Sequence, residues 1–277
     1  MRRTWIHILL FILTVASTWL TWGPAYSASI MLILLGHEMG HYLVSRSHGT
    51  KATLPFFLPL PLPPFGTLGA VIRMESTISS RKSLFDTGVA GPLISFVLSI
   101  PAIVIGLRLS QMIPLSQVKE GAFRFASPLL FSFIQHLVMG KIPENYEVII
   151  HPIGYAGWVG LFVTALNLLP VGQLDGGHIA YALFGRKSRG IFASAIAAIA
   201  FFFIFYNVGW ILLLILMILF GLRHPAPWDD QTPLDWKRKF VGGITFIALV
   251  LSFTPAPFPQ APSLVELIEK GPSTLWM

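Results

Sequence analysis

The pentapeptide His37-Glu38-Met39-Gly40-His41 lies inside an apolar run that extends from Ala28 to Val44. Read as a helix, the run puts the two histidines four residues apart on one face, where both imidazoles reach a single metal ion. Glu38 follows the first histidine and can reach a water on that ion. H-E-x-x-H on a helix is the zinc-hydrolase pattern, with histidines as ligands and the glutamate as general base. The alternative is two core histidines and a glutamate satisfied by neighbours. An ionisable group inside an apolar span is costly to keep unless it has a use, which favours the metal reading.

Composition decides where this helix sits. Of 277 residues, 54% are hydrophobic and 11% charged, whereas an ordinary soluble domain is about 25% charged. These values indicate a polytopic protein of the lipid bilayer. The chain has no cysteine, so it forms no disulfides and any metal must be held by His, Asp or Glu. A net charge of +7 invites a nucleic-acid partner. That class is excluded, because Lys and Arg fall at the ends of apolar runs, where they set membrane orientation.

Along the chain, Arg2 and Arg3 precede an apolar run from Trp5 to Trp22. The run mimics a signal peptide but is long for one, and its tryptophans sit where an interfacial belt would. It is read as a retained first span with its N-terminus inside. Gly23-Pro24 turns the chain, and residues 26–47 form a second span carrying the metal motif. Arg46, His48 and Lys51 mark its cytoplasmic end, with His48 read as a solvated end residue. Residues 54–65 hold five prolines among Leu and Phe, which forbids a helix yet does not suit a hydrophilic loop. Gly66 to Met74 reads as a strand. Irregular backbone at membrane depth survives only under a cover of protein or beside a wet cavity, so a re-entrant β-hairpin beside the metal is expected, with an interfacial loop as the alternative.

Arg81 and Lys82 are again cytoplasmic. Asp86 ahead of Thr87-Gly88 reads as a helix start, opening a third span over about 88–109, in which Gly88, Ala90 and Gly91 suit close helix packing. Residues 110–150 are read as non-spanning. Within them Leu129, Leu130, Phe133, Ile134, Leu137 and Val138 form one apolar face of an interfacial helix. From His151 the chain is apolar to about Phe184, interrupted at Asn167-Leu168-Leu169-Pro170 and Gly172 to Gly177. Proline lacks an N–H and breaks the helix around Asp175. Arg186, Lys187 and Arg189 mark the inside once more. Residues 190–222 would make one helix of about 50 Å, too long for a 30 Å core, so two short spans with a turn at Tyr206-Asn207 are expected. Arg223 and the Lys237-Arg238-Lys239 cluster then lie inside, a last span covers about 240–253, and the tail is outside. The expected fold is an all-α polytopic membrane protein of about seven (six to eight) transmembrane helices with a re-entrant β-hairpin near the site. Its parts are an N-terminal helix (1–25), a core (26–190) and C-terminal helices with a tail (191–277).

Two histidines do not complete a catalytic zinc site. Among the acidic residues only Glu38 and Asp175 lie well inside apolar runs. Asp175 is therefore the favoured third ligand, with His178 second. Depth agrees, at about 12 Å from the cytoplasmic end for Asp175 and about 9 Å for His41. Equal depth requires the spans of His41 and Asp175 to enter from the same side, so residues 110–150 cannot cross. Cysteines placed at Glu120 and Glu147 should then both label from outside.

These residues together resemble the site-2 protease family of intramembrane metalloproteases, which pairs H-E-x-x-H with a later N-x-x-P-x-x-x-L-D-G segment. Both stand here, as His37–His41 and Asn167–Gly176. Gly66-Thr67-Leu68-Gly69-Ala70, Phe85-Asp86 with Ala90-Gly91-Pro92, and Ala156-Gly157-Trp158 are similar to the branch of bacteria, cyanobacteria and plastids. The resemblance implies one zinc per chain completed by Asp175, cleavage of substrate membrane helices, and a role for Asn167 in holding substrate or oxyanion. It implies an inner-membrane location in a bacterium, or a thylakoid or plastid membrane in a phototroph. Many relatives carry PDZ domains, and residues 110–150 are too short for one.

In the resulting mechanism zinc lowers the pKa of its water, Glu38 passes that water's proton to the leaving amine, and Asn167 assists at the oxyanion. Gly66, Leu68, Gly69 and Val71 form a strand edge for the unwound substrate. The competing designs are weaker. A zinc protease using a later glutamate lacks that glutamate within any later span, a metal transporter needs ligands along a path, and an inactive relative should not keep Glu38.

Overall fold

The computed structural model describes residues 4–74, 79–118, 124–220, 225–256, 259 and 263–266. The first element, α1 (Thr4–Ser47), is a helical stretch bent at Gly23, whose φ of 84° leaves the helical region immediately before Pro24. The bend is sharp. Thr18 and Ser27, nine residues apart, bring their hydroxyls to 2.7 Å, and Ser27 donates to the Val15 carbonyl at 3.0 Å. Nine residues of straight helix would separate them by about 13 Å. The two expected spans are therefore two arms folded back on each other.

The proline-rich stretch forms the expected hairpin. β1 (Phe56–Pro59) pairs antiparallel with β2 (Thr67–Val71), Phe56 opposite Val71 and Pro59 opposite Thr67. The second strand is shorter than the Gly66–Met74 expected. The hairpin runs along the first arm of α1, with His7 Nδ1 3.0 Å from the Pro55 carbonyl and the Ser17 hydroxyl 2.6 Å from that of Gly66.

α2 (Arg81–Leu109) starts earlier than the sequence suggested. Ser80, not Asp86, caps it, accepting the Ser83 N–H at 3.2 Å. Asp86 lies inside the helix because its carboxylate has other partners: Arg238 Nε at 2.7 Å, Arg238 Nη2 at 2.6 Å and His48 Nε2 at 2.9 Å. His48 is thus a hydrogen-bond partner of Asp86 and not merely a solvated helix end.

Two short strands follow that the sequence reading did not foresee. β3 (Gln111–Pro114) and β4 (Tyr146–Ile149) pair antiparallel with Gln111 opposite Ile149. They bring both ends of the 110–150 stretch to one place, so the chain returns where it left. Between them α3 (Leu129–Met139) has 11 residues, about 16 Å, half of a 30 Å core. The expected apolar face points mostly outward, as an interfacial helix allows. Phe131 and Ile134 are buried, while Leu129, Phe133 and Leu137 are exposed. In a chain with so little charge, apolar side chains can point outward as well as inward, so apolarity alone does not say which face packs.

α4 (Pro152–Leu168) is buried on nearly every side, Ala156, Trp158 and Leu161 completely so. It packs closely on α2 at small residues. A Cβ on Gly106 would overlap the Gly154 backbone, and one on Gly157 would strike Ile103 and the Ser99 carbonyl. This is the packing that small residues allow between membrane helices. The helix stops before Pro170, where the Leu166 carbonyl accepts the Leu169 N–H at 3.3 Å. α5 (Asp175–Phe184) resumes after the break. The 190–222 run divides as expected into α6 (Ser188–Phe205) and α7 (Ile211–Phe220), with Asn207 capping the Gly209 N–H at 2.8 Å. α8 (Trp236–Ser252) is capped by Asp235 and begins before residue 240. Arg2, Arg3, Glu120, Arg223 and the end of the tail lie outside the described residues.

The molecule is mostly helical. Among the described residues three stretches, Thr4–Ser47, Arg81–Leu109 and Asp175–Phe205, are long and apolar enough to cross a membrane, and Leu129–Met139 and Pro152–Leu168 are shorter apolar helices.

Candidate metal centre

The second arm of α1 delivers His37, Glu38 and His41, all buried, and the first turn of α5 delivers Asp175. His37 Nε2 lies 3.0 Å from His41 Nε2, and Asp175 Oδ2 lies 3.5 and 3.3 Å from them. A tetrahedral zinc with bonds of about 2.0–2.1 Å holds its ligand atoms about 3.3 Å apart. The triangle matches that spacing. Among the described residues these three form the one His/Cys/Asp/Glu group that could hold a metal ion.

The hydrogen bonds behind the histidines fix their tautomers. His41 Nδ1 is 2.8 Å from the Thr87 carbonyl oxygen. A carbonyl only accepts, so Nδ1 carries the proton and Nε2 presents its lone pair to the centre. His37 Nδ1 is 3.0 Å from the Ser95 hydroxyl, whose one hydrogen has two other acceptors in reach, the Pro92 carbonyl at 3.1 Å and Thr164 Oγ1 at 2.8 Å. That leaves the Ser95 oxygen to accept from His37. Thr164 on α4 supports Ser95 at 2.8 Å. These assignments follow from the network, and they produce what a metal site needs: two neutral imidazoles with lone pairs converging beside a carboxylate. Three such groups at this spacing repel one another unless a cation lies among them.

Small residues make the convergence possible. A Cβ on Gly91 would overlap the His41 ring, and one on Gly40 would press on the Ala90 backbone at 2.9 Å. Cβ atoms on Gly176 and Gly177 would strike the carbonyls of Leu168 and Gly172. The Asp-Gly-Gly sequence therefore lets α5 start against the broken segment and bring Asp175 to the histidines.

A cavity of about 550 Å³ opens on this centre, lined by His37 and Glu38 on one side, Asn167 on another, and β2 on a third. Glu38 has no hydrogen-bond partner among the described residues. Asn167 Nδ2 is 3.3 Å from His37 Nε2, so this side chain belongs to the same cluster. Leu68, Gly69 and Val71 line the cavity, whereas Gly66 is buried away from it against Thr18 and Thr21. His178, the second-choice ligand, is not part of the triangle. Ser95, Thr164 and the Thr87 carbonyl were missed in the sequence. Serines at i and i+4 of an apolar helix, Ser95 and Ser99, are the one signal that could have pointed there.

Residues 25–216 match peptidase family M50. The chain is 31% identical over 245 residues to "Probable zinc metalloprotease EGY2, chloroplastic" of Oryza sativa subsp. indica, covering 86% of this chain and 44% of that protein. It is 31% identical over 238 residues to the EGY2 protein of Arabidopsis thaliana (83% and 42%) and 31% identical over 233 residues to "Probable zinc metalloprotease EGY1, chloroplastic" of the same plant (82% and 42%). The chain thus spans less than half the length of these relatives. The family match covers both the histidine helix and the Asp175 turn that meet in the triangle, and the chain belongs to peptidase family M50, the site-2 protease family that its paired motifs resemble.

Proposed function

We propose that this chain is a zinc metalloendopeptidase of the membrane that cuts peptide bonds in substrate helices. The observation that carries the reading is the His37–His41–Asp175 triangle at zinc spacing, with Glu38 beside it in one cavity. The relatives' names supply the identity of the metal.

His37, His41 and Asp175 would hold the ion. Zinc bound there supplies a Lewis acid that makes water a nucleophile near neutral pH. Glu38 receives the proton of the attacking water and returns it to the leaving amine, a role suited to a carboxylate with no competing hydrogen-bond partner among the described residues. The Asn167 amide donates to the oxygen that becomes negative at the cleaved carbonyl. The β2 edge not paired to β1 takes an extended substrate by strand addition, with Leu68, Gly69 and Val71 facing it. A helix hides its carbonyls in its own hydrogen bonds, so the substrate must unwind before it can be held this way.

In this reading residues 26–190 form the catalytic core between an N-terminal helix and the C-terminal helices. About seven crossings fit the apolar lengths, the 110–150 stretch staying on one side. The hairpin is re-entrant from the side of Arg46 and Arg81. A plastid membrane fits the relatives' names, and a bacterial inner membrane fits the same physics.

Reconstituted protein should cleave one or more candidate single-span proteins, and Glu38→Gln should abolish cleavage while keeping the metal. Cleavage retained by Glu38→Gln would remove the general-base role. Wild-type protein that binds zinc but cleaves nothing in a broad panel would favour an inactive, partner-binding relative. Zinc flux across the vesicle would favour a transporter.

A further inference from the structure

The hairpin tip is held by a set of donors that the proposed chemistry does not use. Residues 59–66 contain four prolines, so this turn is short of N–H groups and rich in carbonyls. Within the turn, the Leu62 N–H bonds to the Leu60 carbonyl and the Gly66 N–H to that of Leu62. The carbonyls of Pro64, Phe65 and Gly66 are met from outside. Pro64 accepts from Trp22 Nε1 at 2.7 Å and from the Tyr155 hydroxyl at 2.8 Å. Phe65 accepts from the Tyr26 hydroxyl at 2.8 Å, and Gly66 from the Ser17 hydroxyl at 2.6 Å. Both arms of α1 and the start of α4 contribute. The rings are themselves packed: Tyr26 stacks on Tyr155 at 5.5 Å, and Trp22 lies 4.9 Å from Tyr155.

The geometry matters because of where the strand goes next. β2 begins at Thr67, one residue after the last anchored carbonyl, and passes the cavity that contains Glu38 and His37. Gly66 has a φ of 74° and lies so close to Thr18 that an added Cβ would sit 3.0 Å from its Cα. The tip therefore cannot slide along α1 without losing several hydrogen bonds. The stem is less constrained. Its ladder is short and shifts register between Phe57 and Pro59.

We propose that Ser17, Trp22, Tyr26 and Tyr155 are positioning residues that clamp the hairpin tip and thereby set the height of the β2 edge above Glu38. Resting on the protease reading above, the clamp decides which peptide bond of an edge-bound substrate faces the metal. Side chains alternate along a strand, so a substrate held by a loosened edge re-registers in steps of two residues and keeps the same face inward. Loss of the clamp blurs the cleavage position without touching the ligands or the general base.

The test is the double variant Tyr26→Phe/Tyr155→Phe, which removes two donors and keeps both rings. Full-length protein in lipid vesicles is assayed with a single-span substrate, and products are mapped by mass spectrometry. Zinc content should equal that of wild type, KM should rise several-fold with kcat within about twofold, and products should appear two residues from the wild-type bond. Restoring Tyr155 alone should recover much of the effect, since Pro64 then regains both donors. Amide exchange across residues 67–71, read without any substrate, should be faster in the double variant. Wild-type KM, a single unchanged cleavage position and unchanged exchange would overturn the clamp, as would loss of zinc together with activity. A wild-type protein that cleaves nothing would sink the protease reading alone, and the exchange rates would still decide whether the tip is clamped.

Discussion

Asp175 Oδ2 stands 3.3 Å from His41 Nε2, across the seam between the α5 turn and the histidine helix. The contact exists because Gly176 and Gly177 let α5 start against the carbonyls of the broken segment. If Asp175 is a ligand, Asp175→Ala should reduce bound zinc well below one per chain and abolish cleavage, since two histidines under-coordinate the ion. Zinc measured by atomic absorption on purified protein decides it. Normal stoichiometry would move the third ligand elsewhere.

Ser95 accepts from His37 Nδ1 in a buried site. Ser95→Ala should leave that N–H unpaired at a cost of about 1–3 kcal/mol and lower metal affinity by about 10–100-fold, the usual effect of losing such a support. Competition with a graded set of chelators measures it. Unchanged affinity would mean that His37 is oriented by packing alone.

Gly91→Ala should be harsher than a one-carbon change suggests. Its Cβ would overlap the His41 ring, and the ring cannot retreat without leaving Thr87 and the metal position. Overpacking of this kind costs about 1–3 kcal/mol, and cleavage should fall with zinc content. Gly190→Ala, where nothing lies within 4 Å, is the control and should behave as wild type.

Arg238 joins Asp86 on α2 to Asp235 at the start of α8. Arg238→Ala should lower thermal stability by about 1 kcal/mol, a partly exposed pair being screened by solvent, and leave zinc content unchanged. The Asp235 carboxyl, which accepts the Arg238 backbone N–H, is held below its usual range. Its contribution to stability is therefore complete above the ordinary Asp value of about 3.9 and fades as pH falls through the lowered folded value. A melting series over acidic pH should show this slope in wild type and a shallower one in Asp235→Asn.

The pairing of Gln111 with Ile149 predicts that the 110–150 stretch leaves and returns on one side. Single cysteines at Ser116 and Glu144, both exposed, should react with an impermeant thiol reagent from the same side in oriented vesicles. Labelling of one from each side would separate Asp175 from His37 and His41 in depth and remove the triangle.

The sequence by itself determined the elements that depend on local chemistry. The H-E-x-x-H helix, the turn at Gly23-Pro24, the proline-rich hairpin and the break before Asp175 all follow from periodicity, from missing N–H groups or from the cost of a carboxylate among apolar residues. The third member of the triangle was also legible, because so few acidic residues lie inside apolar runs. What tertiary structure alone decided is which groups meet. Ser80 rather than Asp86 caps α2 because Arg238, far along the chain, takes the Asp86 carboxylate. Phe131 packs inward on α3, which the apolar pattern could not say, since a face turned to lipid and a face turned to protein are both apolar. The partners of the histidines and the donors at the hairpin tip were invisible for the same reason. A hydroxyl in an apolar span has no mark in the sequence to say which carbonyl or imidazole it will find once the helices pack.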